Sequence, residues 1–268
     1  MADLLRFQIV SVVLTAFINV ASVTHYRVAS RLIEYFMQLI VGITTVFTPY
    51  FSQKEGENGS GHSDDIRDKF MSATRITAYI SIFVGLALIF YGKDFIVRWV
   101  GKDYGGSFDV LVVLTVPIML ALTQSTTAAL LYGISRHKFL SYSNIAEGIA
   151  NLILSLLLVK PFGMMGVAWS MAIPLFVSKV FLQPWYVSRV LRVSFLSYAW
   201  VLIKPLFVGI VAFCLPAVLF YSNLRPKFGL LLGFGVMHFL MYSGAVFYLG
   251  LLPTERLQIV SLVHKRVK

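Results

Sequence analysis

The chain has 268 residues, 58% of them hydrophobic and only 13% charged, with a mean hydropathy of +0.79. That charge is about half of what a soluble domain carries, too little to hydrate its surface, and the apolar excess also excludes disorder. The excess of 23 Lys and Arg over 12 Asp and Glu, net +11, falls between long apolar runs; this points to loops anchored on an anionic leaflet, with the lipid bilayer and not nucleic acid as partner.

A helix needs about 20 apolar residues to cross a bilayer core of about 30 Å. By that measure the sequence predicts an all-α polytopic membrane protein of about eight transmembrane helices. They cover 4–22, 28–51, 74–92, 108–132, 140–159, 164–187, 196–221 and 228–252. The leader before the first span sets Asp3 beside Arg6 and lacks the net positive charge of a signal peptide. In the second span Arg31 and Glu34 are three residues apart and share a helix face. They suit either an anion site or a local ion pair near the outer interface. Ser52–Ala73 is the one sizeable hydrophilic segment, and its Gly, Ser, Asn and Asp content predicts a flexible loop. Asn58-Gly59-Ser60 matches a glycosylation sequon, and His62, Asp64 and Asp65 read as solvated charge and not as a metal site.

Gly133 closes the fourth span before the basic corner Arg136-His137-Lys138. On the fifth span Asn144, Glu147 and Asn151 form a polar stripe at i, i+3 and i+7. Glu147 lies about 13 Å along the helix from Lys138, too deep for an interfacial residue. A charge in hydrocarbon is costly, so Glu147 either pairs with a lysine, lines a cavity or exchanges a proton. Gly163 and Gly166 bracket a very short connection to the sixth span. Lys179 is the deepest cation of that span, a candidate for holding an anion or for pairing with Glu147. Lys204 reads as snorkelling and His238 as a hydrogen-bonded packing residue. Pro117, Pro174, Pro205 and Pro216 lie within spans and free backbone carbonyls there.

With both termini in the cytoplasm, 13 of the 23 cations lie inside, eight outside and two within spans. A lone cysteine, Cys214, excludes a disulfide framework and a cysteine-built metal site within the chain. Walker A, dinucleotide-type glycine, HExxH and GxSxG sequences are absent, so ATP hydrolysis within this chain is not expected, and the residues suggest no cofactor or metal.

Four stretches, in order, carry a resemblance: Tyr26-Arg27-Val28-Ala29-Ser30-Arg31-Leu32 leading to Thr48-Pro49-Tyr50-Phe51-Ser52; Trp99-Val100-Gly101-Lys102-Asp103-Tyr104; Leu130-Leu131-Tyr132-Gly133-Ile134-Ser135-Arg136-His137-Lys138; and Asn144-Ile145-Ala146-Glu147-Gly148-Ile149-Ala150-Asn151, continuing to Pro161-Phe162-Gly163-Met164-Met165-Gly166. Over about residues 6–190 the chain resembles the C-terminal half of bacterial O-antigen and exopolysaccharide flippases of the multidrug/oligosaccharidyl-lipid/polysaccharide transporter superfamily. The resemblance implies a six-helix lobe at 1–190 and an additional transmembrane hairpin with a basic tail at 191–268. It implies further a fragment or half-transporter whose N-terminal six-helix lobe is missing or on a separate chain.

The implied activity is translocation of a polyprenyl-pyrophosphate-linked oligosaccharide across the bacterial inner membrane, with Lys179, Glu147, Arg31, Glu34, Asn151 and Asn144 as substrate-cavity candidates. A drug/cation antiporter of the same superfamily, with Glu147 as its coupling acid, is the nearest alternative. A polytopic glycan-modifying enzyme is the alternative from another class. It would need a large outside loop or a conspicuous His, Asp or Arg cluster at the interface, and the longest outside loop here is 93–107.

Overall fold

The computed structural model describes residues 10, 12–18, 20–58, 64–221, 228–251 and 255–256. Among these the chain is helical and contains no strand. Beyond helical residues 12–17, the elements are α1 (Val20–Thr44), α2 (Phe47–Asn58), α3 (Asp64–Trp99), a 3₁₀ turn (Lys102–Gly106), α4 (Ser107–Leu122), α5 (Ser125–Gly133), α6 (Lys138–Val177), a π-turn (Ser178–Leu182), α7 (Gln183–Val190), α8 (Phe195–Tyr221), α9 (Phe228–Ala245) and a second π-turn (Val246–Gly250). Six stretches are long and apolar enough to cross a membrane: Ala21–Glu57, Asp64–Trp99, Lys102–Gly133, Lys138–Val190, Phe195–Cys214 and Gly233–Gly250.

Six stands where the sequence suggests about eight, for two reasons. The span at 4–22 is described only in part, at 10, 12–18 and 20–22, and the helix over 12–17 is too short to count as a crossing. The spans at 140–159 and 164–187 belong to one helical stretch that reverses at Gly163, whose φ of 56° and ψ of −136° leave the helical region. Side chains record the reversal. Ser155 and Ser170 meet at 2.7 Å, and Ser143 and Ser178 at 2.8 Å. In a straight helix those pairs would stand about 22 and 52 Å apart. Residues 138–162 and 164–190 are thus the two legs of an antiparallel hairpin. A side chain at 163 would meet a left-handed backbone, and a Cβ at Gly166 would run into the carbonyl of Leu158.

The hydrophilic segment Ser52–Ala73 is helical over most of its length, contrary to the loop expected there. Helix α2 continues to Asn58 and α3 begins at Asp64, placing Asp64 and Asp65 at the positive end of the new helix. Lys54 reaches Glu57 at 2.9 Å and Asp65 at 3.6 Å, joining the two helices. Gly59, Ser60 and His62 lie outside the described residues. The break between α1 and α2 has a local cause: Pro49 has no N–H for the carbonyl of Thr45, and Thr48 takes that carbonyl at 3.1 Å instead.

The chain divides into two compact units, Met1–Leu202 and Ile203–Lys268. In the first, α3 and α4 approach through small residues: a Cβ at Gly92 would lie 2.6 Å from Leu111. Hydroxyl bonds add to the contacts of α3, with Thr74 to Thr126 at 2.8 Å and Ser81 to the carbonyl of Met119 at 2.9 Å. An aromatic and aliphatic cluster of Phe51, Phe70, Leu130, Leu131, Val187 and Tyr198 ties α2, α3, α5, α7 and the start of α8 together. Gly133 lets that cluster close, because a Cβ there would sit 2.7 Å from the Cβ of Phe51. In the second unit His238 is buried, stacked on Phe213 at 4.6 Å and bonded to its carbonyl at 3.2 Å, a packing residue.

Candidate functional site: a buried Glu147–Lys179 pair

The hairpin brings the stripe on its first leg against the second leg. Glu147 is 5% exposed, and its Oε1 accepts from three donors: Lys179 Nζ at 3.1 Å, Ser143 Oγ at 3.2 Å and Ser178 Oγ at 2.5 Å. The Lys179 side chain is 13% exposed. Four residues further along the first leg, Asn151 Oδ1 accepts from Ser170 Oγ at 3.1 Å, and its buried Nδ2 has no protein partner. Polar groups buried in a helical membrane bundle bond to one another because hydrocarbon offers no alternative.

Lys179 stands in the π-turn at Ser178–Leu182, and the backbone explains how the turn is tolerated. The N–H of Gln183 bonds back five residues to the carbonyl of Ser178. The next donor in that pattern would be residue 184, a proline without an N–H. The carbonyl of Lys179 is therefore left without a helical partner, and the side-chain amide of Gln124 fills the vacancy. Gln124 is itself held: its Oε1 accepts from Tyr198 at 3.3 Å, and its carbonyl accepts from Gln183 Nε2 at 3.3 Å. π-turns of this kind recur at functional positions in helices.

Two concavities flank the pair. On one side a cleft of about 280 Å³ is lined mostly by apolar side chains, among them Met37 of α1, and one part of its wall carries Asn144, Lys179, Gln124, Ser125 and Gln183. On the other a groove of about 490 Å³ exposes Ser143, Glu147 and Ser178 among Ala146, Ala150 and Leu154. The cation thus lies on the polar patch of a mixed cleft and the carboxylate against an apolar groove. A lysine and an asparagine side by side in such a cleft can hold an anionic group, and the carboxylate beneath fixes the ammonium in place.

Of the residues expected from sequence, Glu147, Lys179, Asn144 and Asn151 come together on the hairpin. Arg31 and Glu34 do not join them: they pair with each other at 2.8 Å on α1, with the arginine 55% exposed. Gln124, Ser143, Ser178 and Gln183 were not singled out. Their signal is the polar run Thr123-Gln124-Ser125-Thr126-Thr127 inside an apolar span, and serines one helical turn from Glu147 and beside Lys179. No family model matches this chain, and no curated protein matches it.

Proposed function

We propose that the chain is the C-terminal part of a bacterial polysaccharide flippase, moving polyprenyl-pyrophosphate-linked oligosaccharide from the inner to the outer leaflet of the inner membrane. The observation that carries this reading is the cleft with a polar patch beside a buried Lys179–Glu147 pair, set in helices apolar enough to cross a bilayer. A lysine held at the wall of such a cleft suits a pyrophosphate, and Asn144 beside it suits a sugar hydroxyl, whereas Gln124 and Gln183 brace the π-turn that carries the lysine. The order of the four sequence stretches supports the same class. In this reading both termini are cytoplasmic, a six-helix lobe on the same or a separate chain completes the cavity, and the two lobes rock around it. Nothing is transformed chemically: Lys179 and Asn144 bind, Glu147 orients the ammonium and Asn151 braces the hairpin through Ser170, none of them acting as a catalyst.

Deletion of the gene in its host tests the reading. Lipid-linked oligosaccharide should accumulate in the inner leaflet and surface polysaccharide should fall. Wild-type protein should restore both, whereas Lys179→Ala and Glu147→Gln at equal membrane abundance should not. Unchanged surface polysaccharide in the deletion strain would refute the assignment.

A further inference from the structure

We propose a binding site for an anionic phospholipid of the surrounding bilayer, built from two basic helix ends and two apolar grooves on the outside of the hairpin. Helix α5 and helix α7 end at the same edge of the molecule, because Phe139, just beyond the first, stacks on Tyr186 of the second at 3.9 Å. The two corners carry Arg136, Lys138, Arg189 and Arg192, all exposed. Among the described residues none of the four is ion-paired, whereas Arg31, Lys54, Arg67, Arg98 and Lys179 all are. Between Asp109 and Glu255 the one carboxylate is Glu147, which Lys179 already engages, and of the acids on α2 and α3, which pack into the same cluster as α5 and α7, Glu57, Asp64, Asp65 and Asp68 are engaged by Lys54 or Arg67.

The backbone at these corners favours glycine, yet the sequence does not use it. Arg136 N–H bonds to the carbonyl of Leu131 at 2.8 Å, and Val193 N–H to that of Ser188 at 3.0 Å. Both are six-to-one closures that place the preceding residue in the left-handed region. Those residues are Ser135, with φ of 57°, and Arg192, with φ of 53°. They are the only described non-glycine residues with positive φ. Glycine would adopt this conformation without strain. An arginine at 192 works against the fold and adds a free cation to the basic corner.

Apolar space begins beside the cations. Arg189 lies over the ring of Trp185 at 4.2 Å. Trp185, with Phe181, Leu182 and Phe195, lines a groove of about 410 Å³. Leu182 also borders the groove of about 490 Å³ that runs from Phe139 to Leu154. Fifteen helical residues span about 22 Å, more than the ~15 Å depth of one leaflet. Two apolar grooves that share a wall, capped by unpaired cations, match the two acyl chains and the phosphate of one anionic phospholipid. The site requires that the chain lie in a bilayer, and its longer groove is the one lined by Ser143, Glu147 and Ser178, on the face of the pair away from the cleft.

The test is native mass spectrometry of the full chain in detergent with phosphatidylglycerol, phosphatidylcholine and, as a headgroup alone, glycerol 3-phosphate. The wild type should prefer phosphatidylglycerol over phosphatidylcholine and should ignore glycerol 3-phosphate. Each lost cation should weaken phosphatidylglycerol binding about fivefold. Arg189→Gln and Arg192→Gly should each do so, and Lys160→Gln, at the hairpin's opposite end, should not. Arg192→Gly should meanwhile raise or preserve thermal stability, which separates lost binding from lost fold. Equal binding of the two lipids, full phosphatidylglycerol binding by both arginine variants, or a loss of the same size in Lys160→Gln would overturn the site. Binding of glycerol 3-phosphate as strong as that of the whole lipid would also overturn it, by removing the role of the grooves.

Discussion

Replacing Lys179 by Met removes the cation 3.1 Å from Glu147 and leaves a 5%-exposed carboxylate facing an apolar groove. At that distance the attraction is about 5 kcal/mol with an effective dielectric constant of ~20. Dehydration of both ions offsets much of this, and removal of one partner of a buried pair costs about 3–5 kcal/mol. The low end, about 3 kcal/mol, applies to Lys179→Met, because Ser143 and Ser178 go on donating to Glu147 Oε1. Glu147→Gln keeps an acceptor for both hydroxyls and leaves an ammonium that is 13% exposed on the polar patch of the cleft, so its cost is smaller, about 2 kcal/mol. The double variant has no uncompensated charge and should lose no more than the worse single variant. The resulting coupling is about 2–3 kcal/mol. Unfolding in mixed micelles titrated with sodium dodecyl sulfate, followed by tryptophan fluorescence, measures all four corners of the cycle. Additive single losses, with a coupling under ~0.5 kcal/mol, would show that the pair does not hold the hairpin.

Three further substitutions probe the frame around the pair by the same unfolding measurement. Gly163→Ala should cost about 1–3 kcal/mol through backbone strain alone, since Ile18 at 3.9 Å leaves room for a methyl. Gly166→Ala should cost more than Gly163→Ala, because its methyl meets the backbone carbonyl of Leu158, which cannot rotate away; the reverse order would argue against the reversal described here. Gln124→Leu should cost about 1–3 kcal/mol by leaving the carbonyl of Lys179 unpaired, and a neutral result would mean that the π-turn satisfies itself.

The long helices were legible in the sequence because hydrocarbon demands continuous apolar runs, and these show in composition alone. The reversal at 163 was legible from Gly163 and Gly166, since few other residues tolerate such a turn. Helix in the polar segment after Ser52 was not: hydropathy marks what enters a membrane and is silent on a helix that continues into water. Acids in the first turn at 64 and 65 and the Lys54–Glu57 pair carry that information instead. Within the site, charge in an apolar run identified Glu147 and Lys179, because its cost demands a reason. Their partnership depends on the register of two helices 32 residues apart in the chain. Gln124 was missed for a related reason: its partner is a backbone carbonyl freed by a proline on another helix.

The most direct test follows a fluorescent polyprenyl-pyrophosphate oligosaccharide in inner-membrane vesicles from cells that make or lack the chain, using an impermeant quencher to report its leaflet. The account predicts faster exchange between leaflets when the chain is present. It predicts at least a tenfold loss in Lys179→Met, equivalent to ~1.4 kcal/mol of barrier. Equal exchange with and without the chain, or full exchange in Lys179→Met, would contradict it.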